Sequence, residues 1–173
     1  VHSLLLNSPV LGALEYACMN DFRILEMSVA ADAAKILVAI VGRNDSGTTL
    51  SSAMVDCVMT DLKNNLSFKG RFAQKSLQPM LSIVSQVATM AVSDANKMLM
   101  LQSEGAIETL LHGLLLDSPR RSEDGADALQ EACSALLLSL ALFGPWAEAL
   151  RAHPGAVRAL HDLLDGDAGT EAS

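Results

Sequence analysis

Gly105-Ala106-Ile107-Glu108-Thr109-Leu110-Leu111-His112-Gly113-Leu114-Leu115 recurs fifty residues on as Gly155-Ala156-Val157-Arg158-Ala159-Leu160-His161-Asp162-Leu163-Leu164. Self-similarity at a fixed period marks stacked units, each too small to bury its apolar face alone. Outward from this segment, three longer apolar stretches superimpose at the same spacing: Phe22 to Val41, Phe72 to Val92 and Ala126 to Leu142. Ala33 falls on Ile83 and Cys133, Leu37 on Val87 and Leu137, and Ile40 on Met90 and Leu140. Positions three or four apart share one helical face, so these are equivalent faces of equivalent helices.

A shorter helix is expected ahead of each long one, at Pro9 to Asn20, Ser52 to Asn65 and Gly105 to Asp117, with Ala53-Met54-Val55 parallel to Ala106-Ile107-Glu108. A third, still shorter helix precedes these at Ala95 to Ser103 and Pro145 to Ala152. Pro145 suits a first turn, where its missing N–H costs nothing. Gly105 and Gly155 suit the bend between short and second helix, which a residue without Cβ makes easily. The stretches 42–47 and 117–125 and the tail from Asp165 are polar and rich in Gly, Pro and Asp, and predict loops. Ser46 to Thr49 is too short and polar for a first helix.

Composition agrees with an all-α protein. Half of the 173 residues are hydrophobic but only 3% are aromatic, so the core is built from Leu, Ala, Val, Met and Ile, which suit close helix packing. The net charge of -8 argues against nucleic acid, which is held by clustered Lys and Arg. Nine acids from Glu123 to Glu171 face only Arg151 and Arg158, whereas Lys63, Lys69, Arg71 and Lys75 form a basic cluster that would suit an acidic partner or be a solvated face. Cys18, Cys57 and Cys133 have neither disulfide nor zinc spacing; they predict buried thiols in a reducing compartment, cytoplasmic or nuclear. The longest apolar run, Ala132 to Phe143, is too short to span a membrane. Val1 in place of Met, with an end inside a repeat, has the look of an excised piece.

No catalytic signature is present: there is no H-E-x-x-H, P-loop, G-x-S-x-G or kinase element. His2, His112, His153 and His161 have no Cys or carboxylate at ligand spacing, so no metal and no cofactor is expected. Met54, Met59, Met80, Met90, Met98 and Met100 read as core filling, and Trp146 as a packing residue between units. Arg120-Arg121-Ser122 before Glu123-Asp124 has the form of a basophilic kinase site on a flexible loop, with Ser122 as acceptor.

A unit of short helix, G-A-[I/V]-x-x-L-[L/V]-x-L-L helix and long Ala/Leu-rich helix resembles the armadillo repeat. The likeness is carried best by Ala95 to Leu164; Val1 to Val92 follows by helix order and apolar pattern alone. The resemblance implies a right-handed, armadillo-like or HEAT-like α-solenoid of about three and a half repeats: 1–42, a degenerate 43–92, 93–142 and a partial 143–166, with 167–173 a frayed tail. It also implies that successive third helices line a concave groove for an extended peptide or a partner's helix, through Lys35 and Ala39, Ser85 and Thr89, and Ala135 and Ser139. In the nuclear-import adaptor branch Trp and Asn occupy these two places; neither is found at any of the six, which counts against a receptor for basic nuclear signals. The expectation is a non-enzymatic protein-binding scaffold or adaptor. The alternatives are the regulatory or substrate-recruiting segment of a multidomain enzyme, such as a ubiquitin ligase or signalling hydrolase, and an element that self-associates or continues into further repeats.

Overall fold

Each helix begins where a residue can close the first turn. A computed structural model describes residues 50–67, 77–116 and 120–161, together with Pro9, Ala13, Tyr16 and Ile36, which are helical. Ser51 caps α1 (Ser52–Ser67) by accepting the Met54 N–H on its Oγ at 3.3 Å, which satisfies one of the donors a helix start leaves open. Pro79 lies in the first turn of α2 (Gln78–Met90), and Asp94 in that of α3 (Asp94–Gln102), where it pairs with Lys97 at 2.8 Å. Gly105 at φ +73 and Gly125 at φ +86 are the left-handed residues from which α4 (Ala106–Leu115) and α5 (Ala126–Ala141) start. Pro145 stands in the first turn of α6 (Gly144–Ala152), and residues 156–161 begin α7. The described residues are all-α, with no strand among them.

Several expectations need correction. The second long helix is shorter than Phe72 to Val92: Leu77 lies in a bend before Pro79, and Ala91 and Val92 turn away after Met90. Gly105 makes its bend with positive φ, but Gly155 does not; there the His153 ring closes the turn by accepting the Gly155 N–H on Nδ1 at 3.2 Å. The stretch 120–125 is not a free loop. Arg120–Ser122 forms a 3-10 turn, with Arg120 donating to the Leu66 carbonyl at 3.0 Å and Arg121 to the carbonyls of Leu115 and Leu116 at 2.9 and 3.0 Å. The two cations thus satisfy carbonyls at the ends of α1 and α4. The second-helix match is also shifted by one residue. Burial pairs Met54, Val58, Met59 and Leu62 with Ala106, Leu110, Leu111 and Leu114, because the side chain that must enter the core, not letter identity, sets the phase. The long helix at Phe22 to Val41 and the tail from 166 lie outside the described residues, apart from Ile36.

Helices of equal rank pack on each other: α1 on α4, α2 on α5 and α3 on α6. Among the described residues, the inner positions matched at the fifty-residue spacing are buried, Ile83, Val87 and Met90 on α2 and Cys133, Leu137 and Leu140 on α5, while Ala33, Leu37 and Ile40 lie outside them. One continuous core joins them to Val55, Leu62, Leu110 and Leu129. Met54, Met59, Met80, Met90 and Met100 lie in that core and Met98 is half-buried, as core filling requires.

Polar bonds recur at the junctions. Asn96 Oδ1 of α3 accepts the Leu50 N–H at 3.0 Å, and fifty residues later Trp146 of α6 donates Nε1–H to the Lys97 carbonyl at 2.7 Å. At the end of α3, Ser103 Oγ donates to Asp56 Oδ1; at the end of α6, His153 Nε2 lies 3.1 Å from Glu108 Oε1. Asn96 and Trp146 are buried, so each bond removes a polar group that would otherwise be stranded from water.

Candidate functional site

The parallel packing of α2 and α5 creates the site. Their N-terminal ends are tied where the Leu77 N–H donates to the Asp124 carbonyl at 3.2 Å. Between them runs a groove of about 420 Å³ lined by Leu81, Val84, Ser85 and Ala88 from α2 and Ala132, Ala135, Leu136 and Ser139 from α5. The groove face sets the short side chains of Ser85, Ala88, Ala132, Ala135 and Ser139 among Leu81, Val84 and Leu136.

Of the residues singled out in the sequence, Ser85, Ala135 and Ser139 are exposed and brought together in this groove. Thr89 is half-buried and its hydroxyl donates to the Ser85 carbonyl at 3.0 Å, within its own helix. Lys35 and Ala39 lie outside the described residues. Sequence reasoning missed three exposed apolar side chains toward the C-terminal ends of the two helices: Val92, Leu138 and Leu142 are 63%, 66% and 82% exposed. The run Leu136-Leu137-Leu138 hides which leucine points out, but the fifty-residue spacing carries a signal, since Leu142 falls on Val92 and Leu138 on Ala88.

A second groove, of about 630 Å³, lies between Ile36 and the Asp61, Asn65, Ser82 and Gln86 side chains. Among the described residues, Ile36 alone represents the long helix expected on that side.

The other candidates do not converge on the α2–α5 groove. Lys63 is exposed on α1 beside Gly105, and Lys69, Arg71 and Lys75 lie outside the described residues. Ser122 is exposed in the 3-10 turn, between Arg121, which holds carbonyls, and Glu123, which pairs with Arg120 at 3.5 Å. His161 is exposed and His112 half-buried, while His153 has the Glu108 carboxylate as a neighbour that linear spacing could not reveal. A hydrogen bond from the backbone at Glu108 itself, and next the His153 ring, hold the Glu108 carboxyl below its ordinary value.

Cys133 is buried and its thiol is pushed up to about 12 by burial; Cys57 is half-buried and raised by burial and then by Asp56 and Asp61. Both are therefore poor nucleophiles. Among the described residues no three His, Cys, Asp or Glu side chains converge to hold a metal ion. No single described helix is long and apolar enough to cross a membrane; α5 and α6 reach that length only together, and are bent by 113°. No family model, curated protein or solved structure matches this chain, so the chemistry of the groove is read from its own residues.

Proposed function

We propose that this chain is a non-enzymatic protein-interaction scaffold, an armadillo-like right-handed α-solenoid that presents the α2–α5 groove to a partner. The observation that carries this reading is the groove itself: Ser85 and Ala135, at equivalent positions of the two long helices, are small, exposed and brought together with Ser139, and exposed Leu138 and Leu142 stand near the end of the same α5. Like-on-like helix packing with recurrent junction bonds supports the solenoid part, since repeat proteins bury their core unit against unit. Exposed aliphatic side chains beside a concave apolar strip are the usual mark of a protein contact.

A site-specific photocrosslinker tests it. Placed at Ser139 in the groove, the probe is expected to capture a discrete protein partner, and placed at exposed Thr60 on α1 it is expected not to. Capture at Thr60 alone, or equal capture at both, would move the binding surface away from the groove.

A further inference from the structure

We infer that the occupant of the α2–α5 groove is an amphipathic helix carrying Lys or Arg at one end of its apolar face; this rests on the groove reading above. An extended peptide brings unpaired backbone N–H and C=O groups that its binding site must satisfy. The groove lining offers only the hydroxyls of Ser85 and Ser139, and the nearby Thr89 hydroxyl is already bonded to the Ser85 carbonyl. A helix satisfies its own backbone and needs only apolar area and close approach. Ala88, Ala132 and Ala135 permit that approach, since short side chains at the contact let helix axes come nearer.

The two ends of the surface differ. At the start of α5, Asp127 and Glu131 are exposed four residues apart, in a row that continues to Ala135 and Ser139. Toward the other end stand the exposed side chains of Val92, Leu138 and Leu142. Helix α2 contains no charged residue, and α5 contains no cation. The only charges on the two helices that form the groove are therefore negative and gathered at one end. A cation on the partner meets Asp127 and Glu131, and its apolar stripe covers the leucine end, which fixes both the charge and the direction of the bound helix.

The test uses fluorescein-labelled peptides of ~14 residues, about the 20 Å length of α2. One has Leu at helical spacing and two Lys at one end, the second has Glu for Lys, and the third carries two central Pro. Binding is read by fluorescence anisotropy. The Lys peptide is expected to bind about three- to tenfold more tightly than the Glu peptide at low salt, since exposed ion pairs contribute modestly. That preference should vanish at ~0.5 M salt, where the Debye length is about 4 Å, and reverse in an Asp127→Lys, Glu131→Lys double variant.

Equal binding of Lys and Glu peptides, equal binding of the Pro peptide, or binding by none of the three would overturn the inference. Ala135→Arg, at an exposed position and with its fold checked by circular dichroism, separates the groove from its polarity. Loss of all binding in this variant without any charge preference in the wild type removes only the polarity and keeps the groove, whereas binding indifferent to it removes the groove as well.

Discussion

Two sets of junction bonds made from positions fifty residues apart, Asn96 with Ser103 and Trp146 with His153, use different chemistry. At the first, the amide of Asn96 and the hydroxyl of Ser103 reach back to the Leu50 N–H and to Asp56; at the second, the indole of Trp146 and the imidazole of His153 reach back to the Lys97 carbonyl and to Glu108. The second junction also places Lys97 Nζ 5.4 Å from the centre of the Phe143 ring. Positions fifty residues apart thus both reach back to earlier helices while the side chains are exchanged. What a junction requires is one polar atom aimed at the preceding unit from a buried position, and the size of the group around that atom sets how much the junction contributes to stability.

That difference in size predicts the largest effect. Trp146 is 0% exposed, so Trp146→Ala should cost about 3–5 kcal/mol through the cavity and the lost hydrogen bond. Asn96→Ala removes little volume but leaves the Leu50 N–H without its partner, at about 1–3 kcal/mol. Urea midpoints of the two variants measure the contrast. Equal losses would mean that the polar bond, and not the ring, carries the second junction; Trp146→Phe then falls with Trp146→Ala instead of recovering most of the stability.

The all-α character and the inward face were legible because they depend on short-range periodicity. Ile83, Val87 and Met90 could be matched to Cys133, Leu137 and Leu140 from spacing alone, and each matched residue is buried. The junction bonds were not legible, because they join residues 45 to 49 apart whose meeting depends on how one unit sits on the last. Arg120 and Arg121 misled for a related reason: as letters they are loop cations before a serine, yet they donate to carbonyls of Leu66, Leu115 and Leu116. Of the groove, Ser85, Ala135 and Ser139 were named from the armadillo resemblance laid over the helix alignment. The exposed Leu138 and Leu142 were not picked out, although the fifty-residue spacing that turns Leu137 inward sets them on Ala88 and Val92.

A second contrast separates the second helices of the two units. In α4, Gly113 lets the helix lie so close to α5 that a Cβ there would stand 2.7 Å from Cys133 Sγ and 3.5 Å from Leu66 Cδ1. With the burial match of Met54 to Ala106, the corresponding residue of α1 is Asp61, which is only half-buried. Gly113→Ala should therefore destabilise: overpacking of about 1–3 kcal/mol outweighs the gain of up to about 1 kcal/mol in helix propensity. The source of the clash gives the sharper measurement. Adding Cys133→Ala removes the opposing sulfur, so the double variant should recover much of the loss relative to Cys133→Ala alone. Purely additive losses in thermal melts would place the strain at Leu66 instead.

The smallest expected effect lies at the junction carboxylate. The folded state holds the Glu108 carboxyl below its ordinary value, so the folded chain binds fewer protons there than the unfolded chain does. The resulting stability is complete above the unfolded value of about 4.3 and is lost as pH falls through the lower folded one. Because Glu108 is 64% exposed, solvent screening keeps the contribution below about 1 kcal/mol. Glu108→Gln should accordingly leave a shallower acid limb in a stability profile run downward from about pH 5, with little change near neutrality. An unchanged acid limb would mean that the His153 ring is held by the Gly155 N–H alone. The second junction would then rest on Trp146, and the match between Ser103 with Asp56 and His153 with Glu108 would be one of position without shared energetics.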